Sequence, residues 1–424
     1  MNPVSGIDRA KRYRYVIFTI ISLAYVLVYF HRLSPAVIAV DMQQFFKISG
    51  SVLGLLSSAY FYPYAAMQIP AGILVDSWGS RKTVAAFFAL AAAGSIIMGL
   101  ASNMHLAFLG RTLVGIGVST VFVSNFKLLA EWFRPREFTI MGGIFMGMGG
   151  VGVLFSTAPL AFLSNIIGWR MTLTVVGGIS LMISALVYAF VLNRPADKGW
   201  PSIVPAQKDQ IQKKISLLEG FKMVLAEKDF WPVAVWSFFT IGIFFALAGL
   251  WGGPYLIQVY GLSKTSAGTI LSMSAVALIV GSPLMGFLSN RVGRKYALAG
   301  CSFMLIGVCA VFYAFTDRLP HIMLYILFFC LCLCTSASAP VIVAAAKELF
   351  PIRIAGTSVA VVNVFPFIGG PFFQIILGAI LSRAGREGDA YSIAGYHNMF
   401  LACLIGAFIS LFVAAFLKET LSRG

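Results

Sequence analysis

Three basic side chains stand inside long apolar runs: Arg32, Arg111 and Lys127. An ionised group at that depth costs about 2.5–3.5 kcal/mol on insertion scales, so each is a candidate for function. No Asp or Glu joins them, because Asp41, Asp76, Glu131 and Glu348 fall near the ends of the runs. At helical spacing Tyr25, Tyr29 and Arg32 share a face with Ala36, a polar stripe on an otherwise apolar helix. A guanidinium grips a carboxylate or phosphate through two hydrogen bonds, so Arg32 is read as an anion contact, with Tyr29 beside it. A cation–aromatic contact with the tyrosines is the structural alternative. Next to Arg32, His31 is the one side chain in that zone that titrates near neutrality. Lys127 precedes Glu131 by one helical turn, which suggests an intrahelical pair. A second anion contact is the alternative, although Arg111 and Lys127 lie about 160° apart around an ideal helix and hardly face one cavity.

Aromatic and amide groups supply the remaining candidates. Tyr60 and Tyr64 share a face in one run, and Trp251, Tyr255 and Asn363, the last beside Phe365-Pro366, stand in two later ones. Tyr and Trp at membrane depth need hydrogen-bond partners, which a polar ligand or a neighbouring helix can supply. Gly143, Gly147 and Gly150 are read as sites of close helix packing. Six cysteines lie in apolar segments, and Cys330-x-Cys332-x-Cys334 lacks the spacing and histidines of a zinc site, so no metal and no cofactor is expected.

The elements that must position these residues are membrane helices. Of 424 residues 59% are hydrophobic and 11% charged, whereas a soluble domain is about a quarter charged. Apolar runs of about 20 residues, separated by charges, Gly and Pro, fall near 15–40, 51–75, 83–102, 105–131, 138–164 and 169–192. Six more follow near 230–259, 266–290, 296–316, 320–347, 354–382 and 395–417. The fold class is therefore all-α and polytopic, with twelve transmembrane helices. A polar stretch divides them, giving an N-terminal half over 1–192, a linker over 193–229 and a C-terminal half over 230–424. The net charge of +16 is not a nucleic-acid footprint, because the basic residues do not form a surface stripe. They gather at the loop ends expected on one side, among them Arg9 to Arg14, Arg81, Lys82, Arg134, Arg136 and the linker, which predicts both termini inside. The first run is too long for a cleavable signal.

One short basic turn occurs twice, almost half a chain apart: Gly72–Lys82 reads GILVDSWGSRK and Gly286–Tyr296 reads GFLSNRVGRKY. Likewise Glu131-Trp-Phe-Arg-Pro135-Arg136 after the fourth run is echoed by Glu348-Leu-Phe-Pro351-Ile-Arg353 after the tenth. Repeats of this kind make two pseudo-symmetric six-helix bundles. On Gly72, Leu74, Asp76, Gly79, Arg81 and Lys82, with Arg111-x-x-x-Gly115-x-Gly117 and the glycine-rich fifth run, the whole chain resembles transporters of the major facilitator superfamily.

The resemblance implies a secondary transporter in a bilayer, a monomer working by alternating access, with Asp76, Arg81 and Arg136 as gate residues at the inner face. Asn290 stands where the second copy of the turn would carry its acid, so an ion pair is not expected there. Arg32 is similar to the anion-binding arginine of the family's organic-anion and organophosphate carriers. The seventh run lacks the second cation those phosphate carriers use, which favours a singly charged organic anion, such as a monocarboxylate, or a zwitterion. Amino-acid or polar-metabolite uptake and drug efflux are the alternatives. Coupling to a proton or other cation would fall to His31, with Asp41 in reserve, and Arg111 either couples or braces the first span. An enzyme is not indicated. A bacterial inner membrane is the expected location.

Overall fold

A computed structural model describes residues 3–204 and 217–421. Apart from a two-stranded hairpin, Arg386–Glu387 with Ala390–Tyr391, and short 3-10 turns, its regular structure is helical. Ten helical stretches are long and apolar enough to cross a membrane, and the 51-residue stretch Ile140–Phe190 holds two crossings, bent at Gly168 (φ 78°). The remaining crossing, the second, is built from Gly50–Ser58, Phe61–Ala66 and Gln68–Trp78. Its interruptions have a plain cause: Pro63 and Pro70 lack the N–H groups that would bond the carbonyls of Ala59 and Ala66. Twelve spans result.

Proline also breaks the first span, into Pro3–Leu33 and Pro35–Phe46. The seventh, Phe230–Gln258, is interrupted by a π-turn at Leu247–Trp251 ahead of Pro254. Exposed large apolar side chains such as Phe303, Ile322 and Phe412 lie on the spans, as a lipid-facing surface requires.

By contact the chain groups into two compact units. One comprises Met1–His31, Pro63–Gly152 and Ile167–Lys213. The other comprises Arg32–Tyr62, Val153–Ile166 and Lys214–Gly424. In the first unit the third span (Ser80–Leu100) and the fourth (Met104–Trp132) approach backbone to backbone: a Cβ on Gly94 would lie 2.6 Å from the Gly110 carbonyl oxygen. In the second, Gly369 lies against the Phe238 carbonyl, where a Cβ would come within 2.2 Å. Within that same unit residues 32–62 pack on C-terminal helices, and a Cβ on Gly253 would meet the Ala36 carbonyl oxygen at 1.6 Å. Asp41 and Lys264 form an ion pair at 2.7 Å in the same region.

The repeat holds to atomic detail. Gly79 (φ 83°) and Gly293 (φ 106°) both adopt the conformation that only glycine enters freely, and each starts a helix, Ser80–Leu100 or Arg294–Ala314. The exposed amides of those helices are capped from the end of the same half. Asn193 accepts from the Arg81 N–H at 3.0 Å, and Glu419 accepts from the N–H groups of Arg294 and Lys295 at 2.9 and 3.2 Å.

Candidate functional site around the broken first span

Pro35 explains the local geometry. In an unbroken helix the residue at 35 would donate to the carbonyl of His31, and proline cannot. The freed His31 oxygen instead accepts a hydrogen bond from Nη1 of Arg111 at 2.6 Å. Arg111 is buried, and an ionised donor gives a short, strong bond there. Arg111 thus holds the break from the fourth span, and the His31 ring lies 3.4 Å from Ser180 Oγ of the sixth. Of the two roles considered for Arg111, this contact is the bracing one.

One residue beyond His31, Arg32 is 3% exposed. Its guanidinium carbon lies 4.8 Å from the ring centre of Phe367, 5.7 Å from Phe245 and 6.0 Å from Tyr60. Phe245 and Phe367 stack on one another at 5.8 Å. Aromatic faces attract a cation, so these three rings hold the guanidinium in place. Sequence reasoning named Tyr60 and missed Phe245 and Phe367. Asn363 is half-buried on the eleventh span, one helical turn before Phe367 and on the same face.

The other candidates divide. Tyr25 stacks on Phe145 at 4.1 Å, and Tyr29 packs on Tyr25 and against Gly149 and Gly152. Those two glycines make the close approach expected of the fifth span. At Gly143 and Gly147 a Cβ would meet nothing within 4 Å among the described residues, which corrects the packing role expected of them. Tyr64 is buried in the first unit, its carbonyl accepting from Gln68. Trp251 and Tyr255 are buried with their polar atoms committed: indole Nε1 donates to the Gln374 carbonyl at 3.0 Å and the Tyr255 hydroxyl to the Thr316 carbonyl at 2.6 Å.

Lys127 does not pair with Glu131. Its ammonium bonds Asp76 Oδ1 at 2.7 Å and the Val75 carbonyl at 2.9 Å, while Glu131 lies 3.6 Å from Arg194. The local spacing was a weaker guide than the charge on the neighbouring second span. Arg81 donates through Nε to the Tyr188 carbonyl at 2.6 Å and stacks on that ring. The side chains of Arg136 and Arg353 lie outside the described residues. An ion pair does form at the second copy of the turn, against expectation: Arg294 bonds Glu348 at 3.0 and 3.3 Å and Asn290 Oδ1 at 2.7 Å. The missing acid is supplied by the tenth span.

The chain matches the model of the Major Facilitator Superfamily over residues 21–264 and again over 252–423. It is 26% identical over 408 residues to a D-galactonate transporter of Escherichia coli O6:H1, covering 90% of this chain and 92% of that one. It is 25% identical over 425 residues to a probable sulfoacetate transporter of Cupriavidus necator, covering 94% of each. Among solved structures, a bacterial homologue of the human lysosomal transporter Spinster, inward-facing and unoccupied, aligns with a TM-score of 0.76 at 19% identity over 96% of both chains. A twice-matched family model, twelve spans and a repeated basic turn agree, and the chain belongs to the Major Facilitator Superfamily.

Proposed function

We propose that this protein is a secondary active transporter for a small organic anion, with Arg32 as the principal contact for the carboxylate. The observation that carries the reading is the placement of Arg32: a buried cation at the break of the first span, ringed by Phe367, Phe245 and Tyr60. Relatives named for galactonate and sulfoacetate support an acid as cargo. One arginine matches one carboxylate, and the seventh span brings no further cation. Asn363 is suited to a hydroxyl or amide of the cargo. Tyr29 and Tyr64 stay proposed cargo contacts in this reading, Lys127 is engaged by Asp76, and Trp251 and Tyr255, whose polar atoms bond the Gln374 and Thr316 carbonyls, serve as support. Asp76, Arg81 and Arg136 act at the inner gate, with both termini on that side.

In this reading His31 carries the coupled proton, since a bound anion offsets the repulsion of a protonated imidazole by Arg111, which bonds the His31 carbonyl, and by the adjacent Arg32. Replacing His31 with Gln then abolishes uptake driven by a pH gradient and leaves exchange of internal for external substrate intact. Equal loss of both would remove His31 from the coupling step. The cargo itself is identified by uptake into proteoliposomes from a panel of sugar acids, sulfonates, monocarboxylates and amino acids. Saturable uptake confined to the acids is expected, and uptake confined to amino acids would replace the reading by a zwitterion carrier.

A further inference from the structure

We propose that a groove between the start of the third span and the end of the sixth binds one anionic glycerophospholipid, with its phosphate at Lys82 and an acyl chain along the alanines below. The groove encloses about 540 Å³ and is lined by Trp78, Lys82, Ala85, Ala86, Leu181, Ser184, Ala185 and Tyr188. Its volume falls in the range of about 300–1,000 Å³ typical of small-molecule sites. The concavity follows from the sequence. Small residues face one another at its floor, where Ser184 Oγ donates to the Ala85 carbonyl at 2.6 Å and draws the helices together, while Trp78 and Tyr188 rise as walls. Both of those rings are more than half exposed, at 55% and 58%. Aromatic side chains of this kind sit at headgroup level.

Charge selects the occupant. Lys82 is exposed at the rim, Arg81 lies over the Tyr188 ring at 5.0 Å, and the helix Ser80–Leu100 begins here with its positive end. Among the described residues no acid lines the groove, and Asp76 is paired with Lys127. The linker residues 205–216 carry Lys208, Lys213 and Lys214 against Asp209 alone, and a second copy of the chain would bring the same basic rim, so neither complements the groove. A phosphodiester on an apolar tail does.

Native mass spectrometry of the purified protein with dioleoyl phosphatidylglycerol or phosphatidylcholine tests the assignment. Wild type is expected to retain phosphatidylglycerol at concentrations at least about tenfold lower than phosphatidylcholine, a difference of about 1.4 kcal/mol. Lys82→Gln should erase that preference and Ala86→Phe, which fills the groove, should remove the adduct. Lys295→Gln, in the other copy of the turn, and Arg32→Ala should leave it unchanged, which separates this site from the transport reading. Equal retention of the two lipids by wild type, loss of preference in Lys295→Gln equal to that in Lys82→Gln, or displacement by millimolar inorganic phosphate would overturn the proposal.

Discussion

The two copies of the basic turn solve one problem with opposite polarity. In the first, the acid stands on the turn and the base on the following hairpin: Asp76 is held by Lys127 of the fourth span. In the second, the turn provides the base, Arg294, and the tenth span the acid, Glu348. The surroundings differ as well. The Lys127 and Asp76 side chains are 31% and 79% exposed, whereas those of Arg294 and Glu348 are 10% and 31% exposed. Arg294 also bonds Ser289 and Asn290, and Thr420 donates to Glu348. The first pair is a solvated contact that can be made and broken at low cost, and the second is a fixed strut. The contrast supports the proposal of a gate at the first copy rather than the second.

Substitutions can break this contrast. Arg294→Ala removes the donor to Glu348, Ser289 and Asn290 and is expected to destabilise the protein by about 2 kcal/mol, read as thermal unfolding in detergent. Lys127→Ala should cost less than about 1 kcal/mol in the same assay. Comparable losses would mean that the first pair is as structural as the second.

The first span offers a sharper test of how a helix break is held. Arg111→Ala removes the donor to the His31 carbonyl, and a loss of about 2 kcal/mol is expected for a charged hydrogen bond in this setting. In a Pro35→Ala background residue 35 regains an N–H that can reach the same oxygen, so the cost of Arg111→Ala should shrink by about 1 kcal/mol. Additive effects in that cycle would show that Arg111 serves some other contact.

Acid acts on a different strut. Arg14 of the first span grips both oxygens of Glu137 at 2.8 and 2.9 Å, and that hydrogen bonding holds the Glu137 carboxyl below its ordinary value of 4.5. A carboxyl depressed in the folded state stabilises above its unfolded pKa and loses that contribution as pH falls through the folded one. Wild type and Glu137→Gln should accordingly differ in thermal stability at neutral pH and converge below about pH 4.5, in unfolding scans run across pH. The smallest effect is expected from Asn290→Asp, which restores the acid to the second turn where Glu348 already fills the role, a change within about 0.5 kcal/mol.

Much of the architecture was legible because it rests on one-dimensional signals. Twelve spans follow from run length, and the duplication follows from Gly79 and Gly293, whose positive φ demands glycine. The break at Pro35 was not anticipated: the first run was read as one span near 15–40, because its apolar character continues past the proline. The partners of Arg32 were not legible. Phe245 and Phe367 stand in spans apolar nearly all round, where no periodicity tells which face meets a neighbour. Lys127 misled for a related reason: Glu131 was one turn away in sequence, but Asp76, 51 residues distant, was the nearer charge in space.

The central claim is that Arg32 grips the cargo, and equilibrium exchange in proteoliposomes without an ion gradient tests it directly. With the best acid from the panel, Arg32→Ala is expected to lower exchange by tenfold or more, the loss of about 1.4 kcal/mol or more of charge-assisted bonding, with Arg32→Lys recovering part of it. Wild-type exchange by a folded Arg32→Ala protein would contradict the account.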